Sequence, residues 1–200
     1  MIAAALILSS YLLGSVSFAV IASKLFKLPD PRSYGSGNPG ATNVLRTGKK
    51  AAAMLTLLGD AGKGWVVVVV AKYLVEVWQL GDEMVAGAAL AVFLGHLFPV
   101  FLAFKGGKGV ATSAGILLGL NPWLGLLAVS TWIIVAVVSR ISSLSALLSA
   151  LLAPLYAYFL LGRMELVITV LIISTLLILK HRSNVTNLIA GRESRIGKSS

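Results

Sequence analysis

The sequence predicts an all-α, polytopic integral membrane protein of about seven transmembrane helices, with the N-terminus outside and the C-terminus cytoplasmic. Three observations carry that expectation. Apolar residues make up 58% of the 200, and mean hydropathy is +0.92. Long stretches, residues 84–104 and 110–139 among them, hold no Asp, Glu, Lys or Arg. A soluble domain has no use for such runs, whereas a bilayer core about 30 Å thick asks for about 20 apolar residues per helix. The net charge of +10, finally, is concentrated in segments 24–50, 105–108 and 180–198, each beside an apolar run. Fourteen of the 17 Lys/Arg, Arg140 included, fall on the side this alternation makes cytoplasmic. Four of the seven acids, Glu76, Asp82, Glu83 and Glu165, fall on the other side. That is the positive-inside pattern. It assigns the basic surface to lipid headgroups and not to nucleic acid. The chain has no cysteine, which excludes disulfides, a thioester intermediate and a thiolate metal site.

The first span is expected at residues 2–23, running inward; it lacks the basic start of a signal peptide and reads as retained. Residues 24–50 follow, with Pro29, Pro31, Gly35, Gly37, Pro39 and Gly40, a density of breakers that predicts a structured cytoplasmic loop. The run 51–80 is too long for one crossing and is interrupted by Gly59, Asp60, Gly62, Lys63 and Gly64. Two arrangements fit: a short interfacial helix at 51–58 followed by a span at 64–80, or one long helix kinked at the glycines; the first is favoured because it keeps Asp60 and Lys63 near water. The third span is 84–104, coming inward. Asn121-Pro122 divides the next thirty uncharged residues into a short outward helix, 110–120, and a return, 123–139. After a turn at Arg140–Ser143 the last spans are 143–162 and 164–180, with a polar basic tail from His181. The whole chain, 1–200, reads as a single transmembrane domain with polar loops at 24–50, 105–109 and 181–200.

Three segments dense in polar chemistry thus share one membrane face. They are Ser36 to Arg46, Lys105 to Thr112, and His181-Arg182-Ser183-Asn184 with Gly191-Arg192-Glu193. In the second, Lys105-Gly106-Gly107-Lys108-Gly109 sits between two apolar runs. Glycines let backbone N–H groups close on an anion, and lysines supply the charge. A positive-inside hairpin would also explain the lysines. A Walker A is excluded: its first glycine would stand where Leu102 is, and Ser or Thr would follow Lys108 where Gly109 is.

The runs 36–46 (SGNPGATNVLR), 95–101 (GHLFPVF) leading into 104–112 (FKGGKGVAT), and 181–185 (HRSNV) with Gly191 and Glu193 resemble the three motifs of the bacterial acyl-phosphate:glycerol-3-phosphate acyltransferases. The resemblance spans essentially the whole chain. It departs at Val185, where isoleucine is usual, and at Asn187, where a basic residue is common. It implies transfer of a fatty acyl group from acyl phosphate to the 1-hydroxyl of glycerol 3-phosphate. The products are 1-acylglycerol 3-phosphate (lysophosphatidic acid) and phosphate, in phospholipid biosynthesis at the bacterial cytoplasmic membrane. The expected partners are acyl phosphate, glycerol 3-phosphate and membrane lipids, acting on a monomer without cofactor or metal.

Two phosphorylated substrates call for cations and N–H donors, and an acyl chain calls for an apolar slot. Lys105, Arg46, Lys108 and the backbone of Gly106, Gly107 and Gly109 are the expected phosphate ligands. Ser36, Asn38 and Asn43 are expected on phosphate or glycerol hydroxyls, and Ser142, His181, Arg182, Asn184 and Glu193 complete the binding set. His96, Asn38 and Lys105 are the candidates for a direct part in catalysis. His96 is an ionisable group inside an apolar span, where such groups mark function, although capping carbonyls freed by Pro99 would also account for it. For the hydroxyl proton three acceptors stand open: His96, Asp60 or a phosphate oxygen of the substrate, the last favoured because acyl phosphate is already activated. The rival from another class is a transporter for a phosphorylated solute. It would need ionisable groups along a through-path, and spans four to six have none.

Overall fold

The computed structural model describes residues 1–196; the end of the expected basic tail, Lys198 included, lies outside the described residues. Ten α-helices and one 3-10 turn form the described chain. Four helices are long and apolar enough to cross a membrane, or up to six spans if each of two bent pairs counts as one.

The first bent pair is α1 (Ile2–Ser15) and α2 (Phe18–Leu25), at 42°. A single span was expected here. The chain instead turns extended at Val16 and Ser17, and the Ser17 hydroxyl accepts from Val20 N to start α2. A one-turn helix, α3 (Ala41–Leu45), then stands inside the expected loop.

The expected break near Asp60 does not occur. Helix α4 (Lys50–Trp78) is continuous over 29 residues, and Asp60 and Lys63 are buried within it. None of its glycines breaks it, and Gly59 and Gly64 are packing positions. A Cβ on Gly59 would stand 2.2 Å from the Phe18 ring, and one on Gly64 2.4 Å from Thr112 O. Asp60 and Lys63 pair with each other at 2.9 Å, so neither is driven to water.

Helix α5 (Glu83–Leu97) continues through the 3-10 turn Val100–Leu102 as one apolar stretch of 20 residues. Helix α6 (Val110–Leu120) has 11 residues and rises about 16 Å. Asn121 separates it from α7 (Pro122–Ser139): its Oδ1 accepts from Trp123 N and Leu124 N, and Pro122 takes the first helical position, where a missing N–H costs nothing. Helices α8 (Ser142–Leu161) and α9 (Met164–Lys180) follow as expected. The tail is more ordered than expected: α10 (Arg182–Ile189) bends from α9 by 58°.

Small residues bring backbones into contact. A Cβ on Gly115 would lie 1.8 Å from Ala61 O, and one on Gly119 3.3 Å from Trp65 O. A Cβ on Gly14 would lie 2.3 Å from Val92 O, and one on Gly87 2.7 Å from the Ile7 side chain. In both seams rising residue numbers pair with rising numbers, so α4 runs parallel to α6, and α1 parallel to α5. Phe93, Leu97, Ile116, Leu124 and Ile173 fill the centre, while Ile134, Val137 and Val138 face outward, as lipid-facing residues do. At the acidic end Arg163 pairs with Asp82.

Candidate active site

The first polar segment is built around Asn43. This buried amide donates to Pro31 O (2.7 Å) and Tyr34 O (3.2 Å) and accepts from Ser36 N (3.0 Å). Gly35 and Gly37 supply the positive φ the fold-back needs, +56° and +66°. At its base Arg32 holds the Asp30 carboxyl down to about 2 by a direct hydrogen bond. Asn43 is thereby committed to the loop. Ser36, Thr42 and Arg46 are exposed on it, and Asn38 is half-buried.

The second segment begins with strain. Ala103 and Phe104 both have positive φ, +50° and +61°, a region that L-residues enter at a cost. This reversal leaves Lys105 exposed and lays the glycines on His96. A Cβ on Gly106 would stand 2.1 Å from His96 O, and one on Gly107 2.3 Å from His96 Nε2. Gly107 N donates to His96 O at 3.1 Å. Among the described residues the amides of Gly106, Lys108, Gly109, Val110, Ala111 and Thr112 donate to no protein acceptor, and Ser113 N is the first to be bonded, to Gly109 O. They form a cluster of free donors at a helix N-terminus, the arrangement that receives anions.

Beneath the loop His96 Nδ1 lies 3.6 Å from Asp60 Oδ1. Lys63 Nζ donates to Gly14 O (2.9 Å) and Val16 O (2.7 Å), the carbonyls at the α1–α2 break. A narrow crevice lined by Val16, Lys63, His96, Pro99, Gly106 and Gly107 leaves no room for a water molecule.

The third segment closes over the first two. Asn184 on α10 accepts from Lys108 Nζ (2.5 Å) and donates to Glu193 Oε1 (2.6 Å). Ser143 at the start of α8 donates to the same Glu193 oxygen (2.6 Å). Arg46 donates to Ser194 Oγ at 2.6 Å, Ile196 N to Arg140 O at 2.7 Å, and the Thr42 and Ser142 hydroxyls are 3.2 Å apart. Residues 191–196 thus form a strap across the polar end of the bundle. His181 is buried beneath it, its Nδ1 bonded to Leu177 O. Lys180 donates to Leu97 O (3.2 Å) and lies 4.6 Å from the Phe98 ring centre. Burial pushes the Lys108 ammonium below its ordinary range; Glu193 opposes this, and Lys180 and Arg46 reinforce it, so one charge from each of the three segments, with Lys180 at the end of α9, bears on this site.

Arg46, Gly106, Gly107, Lys108, Gly109, Ser142, Asn184 and Glu193 are therefore brought together. Ser36, Asn38, Lys105 and Arg182 lie on the same segments, and among the described residues no side-chain bond ties them across. Sequence reasoning missed Thr42, Ser143 and Ser194. Ser143 was reachable, as the other serine of the named turn; the Ser194 contact depends on where the strap falls. A groove of about 570 Å³ runs between α1 and α5, lined by Ala3, Ala4, Ile7, Leu8, Tyr11, Ala91 and Leu94. At its inner end Tyr11 OH donates to Phe98 O at 2.7 Å.

The profile of the family described as glycerol-3-phosphate acyltransferase matches residues 4–191. Proteins named glycerol-3-phosphate acyltransferase from Nitrosomonas europaea and Nitrosomonas eutropha are 80% and 82% identical over 200 residues, covering all of both chains. One from Nitrosospira multiformis is 65% identical over 98% of this chain and 97% of its own. Two crystal structures of PlsY (YgiH), an integral membrane glycerol 3-phosphate acyltransferase, superpose with TM-scores of 0.91 (glycerol 3-phosphate form) and 0.89 (lysophosphatidic acid form). Each is 34% identical, over 98% of this chain and 96% of that one.

Proposed function

This chain belongs to the glycerol-3-phosphate acyltransferase family, and from that premise we propose that it moves a fatty acyl group from acyl phosphate to the 1-hydroxyl of glycerol 3-phosphate, releasing lysophosphatidic acid and phosphate. The observation that carries the reading is the cluster of free amides at Gly106, Lys108 and Gly109, with Arg46 and Asn184 drawn to the same end of the bundle. Acyl phosphate needs such donors for its phosphate and an apolar slot for its chain; the α1–α5 groove is the slot this reading assigns.

In the reaction the 1-hydroxyl oxygen attacks the acyl carbonyl carbon, a C–O bond forms, and the carbonyl-to-phosphate C–O bond breaks. The leaving group is phosphate, whose charge the loop amides and Lys105, Lys108 and Arg46 stabilise as it develops. Ser36, Asn38, Arg182 and His181 are left to orient the acceptor. The hydroxyl proton passes to a phosphate oxygen. His96 is a poor acceptor because Gly107 covers its Nε2 and the crevice beside it is too narrow for water. Asp60 is already paired with Lys63. These facts support the substrate as its own base.

The reading includes seven crossings of the bacterial inner membrane, with the site facing the cytoplasm and the chain acting as one transmembrane domain and as a monomer. The parallel seams α1–α5 and α4–α6 support that alternation. The test is direct. Purified protein in detergent should release phosphate from acyl phosphate only when glycerol 3-phosphate is present, with one lysophosphatidic acid formed per phosphate. Release without acceptor, or acylation from thioester donors alone, would overturn it.

A further inference from the structure

Asp60, Lys63 and His96 form a buried ionisable cluster that the reaction above does not use, and the three are 2%, 4% and 8% exposed. Ionisable groups inside a membrane protein are kept there by a task. Part of it is visible: α1 breaks at Val16 and Ser17, and Lys63 satisfies the Gly14 and Val16 carbonyls at that break. Asp60 balances that charge. Yet Asp60 Oδ1, although 2.9 Å from Lys63 Nζ and 3.6 Å from His96 Nδ1, makes no well-aligned hydrogen bond among the described residues. Neutralisation alone leaves the imidazole unexplained.

The imidazole lies between the carboxylate and the glycine loop. Nδ1 faces Asp60, Nε2 lies under Gly107, and the His96 carbonyl takes the Gly107 N–H. A carboxylate opposite Nδ1 favours the proton on that nitrogen and fixes the ring's orientation. The ring in turn is the floor on which Gly107 rests, while Gly106 sits on the His96 carbonyl and Pro99, with no spare space for the loop to sink. We propose that Asp60 is a positioning residue for the donor phosphate: it holds the His96 ring, the ring sets the height of the loop 106–109, and that height aims the loop's free amides. The proposal rests on the reading above, in which this loop receives acyl phosphate.

The test compares wild type with Asp60→Asn, His96→Gln, His96→Leu and the double variant Asp60→Asn/His96→Leu in detergent. Both KM values and kcat are measured, together with calorimetric binding of inorganic phosphate and the thermal midpoint. The expected result is a KM for acyl phosphate raised about tenfold in Asp60→Asn, with the KM for glycerol 3-phosphate within about twofold. His96→Leu should match that shift, His96→Gln should recover part of it, and the double variant should be no worse than His96→Leu. Phosphate affinity should fall by the same factor. Equal changes in both KM values, loss in kcat alone, or additive shifts in the double variant would overturn the proposal. Should Asp60→Asn fail to fold, the contrast between His96→Gln and His96→Leu decides: no difference in donor KM defeats it. A wild type that leaves acyl phosphate untouched defeats the functional reading instead. Phosphate binding by the same variants then still decides the positioning role.

Discussion

Arg46 and Lys105, the two cations proposed to meet phosphate, carry the same charge from different starting points. Arg46 is held by Ser194, whereas Lys105 is exposed and has no side-chain bond among the described residues. A charge-assisted contact contributes roughly 1.5–3 kcal/mol, so Arg46→Ala and Lys105→Ala should each lower kcat/KM by about tenfold to hundredfold. Full activity in both variants would reduce them to topology signals. The proton gives a second residue-level expectation. If a substrate phosphate accepts it, activity falls as pH drops through about 6, where a phosphate monoester gains its proton. His96→Ala and Asp60→Ala should keep that acid limb in their residual turnover; its disappearance in either folded variant would make that residue the base. At this scale the sequence identified the polar residues of the three segments but not the environment of Asp60 and Lys63. Glycines at 59, 62 and 64 looked like breakers, and breakers imply water. Whether a glycine ends a helix or admits a neighbour depends on the neighbour, which local sequence does not hold. The intra-loop part of Asn43 was hidden for a related reason: its amide bonds Pro31, Tyr34 and Ser36 of its own loop, partners that spacing alone does not reveal.

Helix α4 turns that distinction into an experiment, because its seam partner and its own turns hold glycines of opposite kinds. A Cβ at Gly115 meets Ala61 O at 1.8 Å, while one at Gly62 meets nothing within 4 Å. Gly115→Val should therefore destabilise the protein by about 1–3 kcal/mol through overpacking. Gly62→Ala should be neutral or stabilising by up to about 1 kcal/mol, the helix-propensity gain. Thermal unfolding in detergent reads both, and equal effects would refute the seam. The elements most legible in the sequence were those bounded by turn chemistry: Asn121-Pro122 between α6 and α7, and the Arg140 turn before α8. Helix α10 escaped notice because it is short and polar, with no apolar run to announce it.

For the molecule as a whole, the asymmetry of charge is the decisive pattern, and the absence of cysteine makes it testable. A single cysteine at Gln79, in the α4–α5 turn, should react with an impermeant maleimide in intact cells. Cysteines at Gly48 or Thr186 should react only after permeabilisation, and the reverse result would invert the proposed topology. The all-helical membrane fold was readable from composition and charge; the convergence of the three segments was readable only as a shared side. What fixes their contacts is the strap of residues 191–196, through Glu193, Ser194 and Ile196. The strap follows every span in chain order, so it leaves the ribosome last among the described elements. A nascent chain can insert all its helices and still have Arg46 and Asn184 without their clasp. On the function proposed above, acyl transfer is expected to begin only once insertion is finished, so that a half-made chain consumes none of its activated donor. A chain stopped after Ile189 should accordingly reach the membrane in normal amount and fold to a similar helix content, yet turn over at least tenfold more slowly than the full chain, by roughly the worth of one charge-assisted contact or more.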